Sequence, residues 1–283
     1  MWHTTRGRVV GGLLSLMLSA TVAQADPSVF KVCADPNNPP LSTRKNDGLE
    51  NKIAELFAAD LGQQLEYTWF PQRLGFIRNT LKAKRVDAEG YQCDVVMGVP
   101  TGFELAATTS PYYRSVYALV YKRGHGLDSV KAPEDIDKLP DEKKSALRIA
   151  MFDGAPGTTW LLNHGLIGQG IPYQTMTGDV SENAAQVLAR DFAADKIDMV
   201  IIWGPMAGYI ASQDPAQYEV IPMKAEKGLK FDFPISMGVR MPDKQRKQQL
   251  DELIVKNAEK IQELVQSYRI PIVDKDGKPI TAK

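Results

Sequence analysis

The sequence predicts an α/β protein of two similar lobes, each a mostly parallel sheet flanked by helices, joined by two crossing strands. Three observations carry this. The order strand, helix, strand, helix, strand runs once over residues 29–99 and starts again at 147. The strands that close the two runs, Asp94–Val99 (DVVMGV) and Met199–Trp203 (MVIIW), are near-continuous apolar stretches, as in parallel strands covered on both faces. No low-complexity linker separates the halves, so the chain is expected to pass between them as strands, at about 112–122 and 233–240.

Residues 1–25 stand apart. Arg6 and Arg8 precede an apolar run, Val9–Val22, and Ala23-Gln24-Ala25 supplies the small residues of a signal-peptide cleavage site after Ala25. The other reading, a retained anchor, needs roughly 20 apolar residues, more than the run offers. Lobe 1 is then expected over 26–120 plus 236–283, and lobe 2 over 121–235.

Val29–Ala34 reads as a short buried strand. Gly48–Leu61 places Leu49, Ile53, Leu56, Phe57 and Leu61 at helical spacing. Leu65–Phe70 alternates as a strand, Leu74–Ala83 repeats the helical pattern, and KRVDAEGYQC (84–93) is a surface excursion before the third strand. Tyr112–Tyr121 is a long β-rich segment ending in a polar break at Lys122–Gly126. In the second half, Leu147–Phe152 is a strand and Thr158–Leu166 a helix. Gln174–Met176 is a weak strand, followed by a helix at Ala184–Asp195. Pro205–Ser212 opens a further helix with proline at a favoured first position. Phe233–Arg240 is β-like, and Lys244–Tyr268 is one long amphipathic helix. The tail shows only a turn at Asp276-Gly277.

Basic and acidic side chains number 34 each, and loss of residues 1–25 would remove two arginines and no acid. Such balance leaves no electrostatic footprint for nucleic acid or anionic lipid. Cys33 and Cys93 form an even pair, read first in an oxidising compartment as a disulfide worth ~4 kcal/mol by chain entropy. Two buried free thiols are the alternative. His125 and His164 lie too far from each other and from the cysteines in sequence to suggest a metal site. There is no P-loop, no nucleophile motif and no Cys–His pairing, so no cofactor is expected.

Open α/β sheets bind ligands outside the carboxyl ends of their strands. On that rule the cleft between the lobes is lined by Asp35, Asn37 and Pro40 of DPNNPP, and by Thr101 and Gly102 after the third strand. Tyr112, Tyr113 and Arg114 of the crossing segment join them, with Gly157, Thr158 and Thr159 of GAPGTTW, and Trp203. The Gly154–Thr159 stretch opens a helix whose free N–H groups suit an anion; in the plainer reading Thr158 is only the N-cap. Arg114 is either a cleft charge or a solvated strand residue. Most of the aromatic residues read as core, but Tyr112 and Trp203 fall at strand ends facing the cleft. Cys33 would staple the first strand to the start of the third.

The succession CADPNNPP, GLENKIAELFAADLG, YTWFPQRLGFIRNTL, CDVVMGVPTG and TTSPYYRSVYALVYKRG over residues 29–124 resembles type II periplasmic substrate-binding proteins. Within them it is similar to the J component associated with PQQ-dependent methanol dehydrogenases (MxaJ or XoxJ). A looser likeness runs through FDGAPGTTWLL and IDMVIIWGPMAGYI to about residue 240. The resemblance implies the two-lobed type II fold, a periplasmic location and a non-enzymatic accessory role. The implied partners are a PQQ methanol dehydrogenase, calcium- or lanthanide-dependent, and its cytochrome c acceptor; PQQ and metal would belong to that client.

Amino-acid receptors of this fold place an arginine after the third strand and an acid after the main strand of the second lobe. Here these positions fall in VPTGFE and at Trp203-Gly204-Pro205, with neither charge, and Leu41 replaces a customary aromatic. Unpaired ligand charges would be costly to bury. Two other functions follow from the fold: an ABC-importer receptor for a small organic solute, and a cyclohexadienyl dehydratase. The dehydratase needs a placed acid, for which Glu104 is the candidate, although that residue reads as part of a short exposed helix.

Overall fold

The structure is a computed structural model and describes residues 1–2, 28–86, 88–176 and 179–280. The expected leader after its first two residues, with its cleavage point after Ala25, lies outside those residues. The chain begins with β1 (Val29–Ala34), a small hairpin of β2 (Asn37–Asn38) and β3 (Ser42–Thr43), α1 (Leu49–Leu61) and β4 (Gln64–Trp69). Next come α2 (Phe76–Asn79), β5 (Val95–Pro100), β6 (Ala107–Thr108), β7 (Tyr113–Val116) and β8 (Ala118–Lys122). The second half holds α3 (Asp141–Ser145), β9 (Ile149–Phe152), α4 (Pro156–Asn163), β10 (Gly170–Tyr173), α5 (Ala184–Ala193), β11 (Met199–Ile202), α6 (Gly204–Gln213) and β12 (Tyr218–Pro222). Finally β13 (Asp232–Val239) returns to the first sheet, followed by α7 (Lys244–Lys256) and α8 (Ala258–Ser267).

The first sheet has the order β4-β1-β5-β13-β6, with β7 also on β13; the second has β10-β9-β11-β8-β12. β1 runs parallel to β4 and β5, and β9 parallel to β10 and β11. β13 is antiparallel to β5, β6 and β7, and β8 to β11 and β12. β7 lies in the first sheet and β8 in the second, so the expected crossing at 112–122 is real, with Tyr117 as the break between them. β13 carries the return.

Strand alternation decides which side chains meet which helices. Phe30, Val32, Val95, Met97, Met237 and Val239 pack with α1, α7 and α8 on one face of the first sheet, while Cys33, Val96 and Val99 meet Phe76, Ile77 and Leu81 on the other. The second sheet divides likewise. Leu119, Tyr121, Ile149, Met199 and Ile201 face Trp160 and Leu161; Ala118, Val120, Ala150, Val200 and Ile202 face α5 and α6. Both sheets are therefore buried on two faces, as their near-continuous apolar strands require.

Several elements differ from expectation. The helix expected at Leu74–Ala83 shrinks to Phe76–Asn79: Gly75 enters it at φ 89°, and Thr80 leaves helical geometry behind it. The single helix expected at Lys244–Tyr268 is two. Asn257 breaks it, buried, with Nδ2 donating to Asp60 Oδ2 (2.7 Å) and Leu253 O (3.0 Å), which pins the break to the end of α1. α4 begins at Pro156 after Ala155, so Thr158 is inside the first turn and is not the N-cap; its hydroxyl donates back to Phe152 O (2.7 Å). The weak strand expected at Gln174–Met176 lies earlier, at Gly170–Tyr173. The undetermined tail straps both lobes, Ile270 and Ile272 entering the first core and Val273 the second.

Cys33 and Cys93 are bonded, with Cα atoms 5.4 Å apart, joining β1 to the entry of β5. Among the described residues no helix is long and apolar enough to cross a membrane. The bridge spans a sequence separation of 60. Replacing both cysteines by alanine is expected to lower the free energy of unfolding by about 3–4 kcal/mol, read as an earlier urea midpoint.

Candidate functional site

The loop leaving β1 meets the second lobe. Asp35 shapes it, its carboxylate accepting from Asn37 N (2.7 Å) and Gln72 N (2.5 Å). Pro39–Pro40 is a cis peptide, and Pro40 O receives Leu49 N (2.8 Å), tying the loop to the start of α1. So held, the loop presents two asparagines to the N-terminus of α5. Asn37 Nδ2 donates to Ser181 O (2.6 Å), and the Asn37 and Gln186 amides exchange hydrogen bonds at 3.3 Å. Asn183 Nδ2 donates to Pro39 O (3.3 Å), while its Oδ1 caps α5 by accepting from Gln186 N (2.9 Å). Arg73 Nη2 donates to Asp179 O (2.9 Å). A cavity of about 310 Å³ opens beside this seam, between Asp35, Asn37, Asn38 and Arg73 on one lobe and Met176 and Asn183 on the other.

The two positions where receptors of this fold place ligand charges are taken up by the crossing strands. Thr101 Oγ1 lies 2.7 Å from Ser236 Oγ and donates to Pro234 O (3.1 Å), so its hydroxyl is spent on β13; Gly102 N donates to Thr108 Oγ1 (3.1 Å) in the following turn. Trp203 joins Tyr117 and Phe233 in a triad with ring centroids 5.5–6.4 Å apart. Arg114 is paired with Asp232 (2.5 Å) across β7 and β13, so it is neither a free cleft charge nor a solvated strand residue.

Tyr112 stands edge-on to Tyr113, centroids 4.9 Å apart, and its hydroxyl accepts from Gly98 N (3.1 Å). Burial pushes the phenols of both well above the ordinary range. Beside them lies a residue with no signal in the sequence. Glu50, in the first turn of α1, is 8% exposed, and its carboxyl makes no hydrogen bond among the described residues. A Cβ at Gly98 would stand 2.2 Å from Glu50 Oε1, and the left-handed backbone there (φ 70°) itself favours glycine. Burial, then the nearby Asp35 carboxylate, raises the Glu50 pKa to about 8. Near neutrality it is an uncharged acid, able to donate a hydrogen bond or to ionise beside an incoming cation.

Gly157, Thr158 and Thr159 lie in α4, away from the seam. A Cβ at Gly157 would sit 2.6 Å from Ile201 O, so this glycine is required by helix-to-strand packing. Glu104 is exposed on the turn between β5 and β6, with no helix around it. Among the described residues no group of acids, histidines and cysteines is placed to hold a metal ion. The lobe 2 half of the seam was missed from sequence. The NAAQ stretch at 183–186 is a legible capping box, but its second use against the other lobe is not encoded locally.

Two mixed sheets, crossing strands and a seam at strand ends define a two-lobed periplasmic-binding-protein fold. No family model matches the chain. The crystal structure of the periplasmic binding protein XoxJ from Methylobacterium extorquens AM1 is 33% identical, with a TM-score of 0.67, covering 87% of this chain and all of that one. MxaJ from Methlophaga aminisulfidivorans MPT is 23% identical with a TM-score of 0.70, covering 87% and 100%. Protein MoxJ of Methylorubrum extorquens is 25% identical over 269 residues, 90% of this chain and 85% of its own length. The chain belongs to the MxaJ/XoxJ (MoxJ) group of type II periplasmic binding proteins.

Glu50 makes stability depend on pH. Its folded pKa lies above the ordinary 4.5, so its contribution is complete below pH 4.5 and is lost as pH rises through about 8. Glu50→Gln is expected to remove roughly 3 kcal/mol of that decline between pH 5 and pH 8, measured by urea titrations at each pH. The seam is stitched largely by neutral amides, so Asn37→Ala is expected to enlarge the radius of gyration in X-ray scattering. The wild-type radius is expected to change little with salt.

Proposed function

We propose that this chain is a non-enzymatic periplasmic accessory protein of a PQQ-dependent methanol dehydrogenase. It would be exported by a leader cleaved after Ala25 and would assist maturation or activation of the enzyme, with its cytochrome c acceptor as a further partner. Kinship along nearly the whole chain with XoxJ and MxaJ supports this. The observation that carries it is the loss of both ligand-charge positions: Thr101 is bound to β13 and Trp203 to an aromatic triad. A cleft without those charges suits an apolar or aromatic side chain of a protein segment better than a free amino acid, and Trp203 is the anchor we assign to it.

One observation favours a second reading, an importer receptor for a small organic solute. The seam cavity has the size of a small-molecule site, and Asp35, which lines it, acts electrostatically on the buried Glu50.

Sedimentation velocity of the mature chain with purified PQQ methanol dehydrogenase separates the two. A faster-sedimenting complex at micromolar concentration, weakened by Trp203→Ala, is expected. No complex with either the calcium or the lanthanide enzyme, together with a solute-induced rise in melting temperature, would overturn the accessory role.

A further inference from the structure

We infer that the flank of the first lobe beside the seam is a docking surface for an acidic, leucine- or aromatic-bearing segment of a partner protein. With the dehydrogenase as the bearer of that segment, the inference rests on the function proposed above and adds a second contact to it.

The surface is a groove of about 280 Å³. Phe76, Ile77, Val96 and Val99 line it, with Leu74 and Leu105 as its exposed apolar members. Leu74 is 96% exposed and Leu105 49% exposed, on either side of buried apolar residues. Exposed apolar side chains around an apolar concavity mark an interaction site more often than scattered surface leucines do. The lining is firmly seated, because Phe76, Ile77, Val96 and Val99 share one core cluster with the Cys33–Cys93 bridge.

Charge names the occupant. Residues 72–78 supply one wall, and the stretch 71–86 that contains them carries Arg73, Arg78, Lys82, Lys84 and Arg85 and no acid, in a chain whose bases and acids balance overall at 34 each. Arg73 and Arg78 line the groove itself. Arg78, Lys82, Lys84 and Arg85 are exposed and form no ion pair among the described residues. On the segment that supplies Phe103 and Leu105 there is one acid, Glu104, so the basic side is one-sided and sets the direction in which an acidic segment would lie. The chain's overall balance gives no general attraction to an anionic bilayer, and a small concavity suits an inserted side chain.

Position supports the same occupant. Gln72 and Arg73 line both this groove and the cavity at the seam between the lobes. A segment leaving the cleft on that side would pass directly onto the flank.

The test uses the mature chain, purified PQQ methanol dehydrogenase and a fluorescein-labelled dodecapeptide with leucines and a phenylalanine set among glutamates. A lysine version of the peptide is the charge control. Leu74→Asp and Arg78→Glu alter exposed residues only, and Lys227→Glu, on the second lobe, is the remote control. Both dehydrogenase and acidic peptide are expected to bind, each about tenfold or more weaker to Leu74→Asp and to Arg78→Glu and unchanged by Lys227→Glu. Binding is expected to weaken as salt rises from ~50 to ~500 mM. Dehydrogenase binding that ignores both flank substitutions, with no peptide binding, overturns the docking surface and leaves the accessory role standing. Flank-dependent peptide binding without dehydrogenase binding keeps the surface and sinks the accessory role. Flank-dependent capture by phosphatidylglycerol vesicles without peptide binding, or self-association abolished by Leu74→Asp, overturns the inference in favour of a lipid surface or a second copy.

Discussion

β13 bonds to three strands at once, and the arrangement of both lobes depends on it. Its later residues complete the first sheet beside β5 and β6, while Asp232–Ile235 pair with β7, the strand that runs on into the second sheet. The two lobes are thus joined through a backbone ladder instead of a flexible linker. The C-terminal tail reinforces it. Ser115 Oγ donates to Pro271 O (2.9 Å), and a Cβ at Gly204 would stand 2.2 Å from the same Ser115 oxygen. α6 therefore begins hard against the hinge, which places Trp203 in its aromatic triad.

That construction has a consequence for ligand chemistry. A receptor for a charged amino acid needs free charged groups at the mouth of the cleft, because a buried ligand charge without a partner is expensive. In this chain the residues at those positions serve the hinge. Thr101 locks to Ser236, Trp203 stacks with Tyr117 and Phe233, and Arg114 is neutralised by Asp232. The mouth is stitched by asparagine and glutamine side chains, whose hydrogen bonds are directional but individually modest. Glu50 is a carboxyl of another kind, buried against Gly98, with its pKa raised to about 8 by burial and by Asp35.

The first lobe bears the features that distinguish its surface. The disulfide joins a small core to which α2, a helix of four residues, gives Phe76 and Ile77, β5 gives Val96 and Val99, and the chain beyond them gives Leu81 and Ala106. Just before that short helix Leu74 is exposed, and it lines the groove together with Arg73 and Arg78.

Much of the fold was legible from sequence alone. The apolar runs at β5 and β11, the helical spacing of α1, the β-rich crossing segments and the two half-cystines are local signals. They point to two parallel-sheet lobes because a strand with no polar face must be covered twice. The candidate cleft was legible only in part. Asp35 and Asn37 could be placed at a strand end, yet Ser181, Asn183 and Gln186 become their partners only when α5 is carried across the seam. Lys244–Tyr268 has one continuous amphipathic pattern, and only the contact of Asn257 with Asp60 at the end of α1 breaks it. Sequence by itself determined most of the elements and their layering, since period and composition act within a few residues. Tertiary structure decided the seam, the spent charge positions and the burial of Glu50, since each depends on groups brought together from distant parts of the chain.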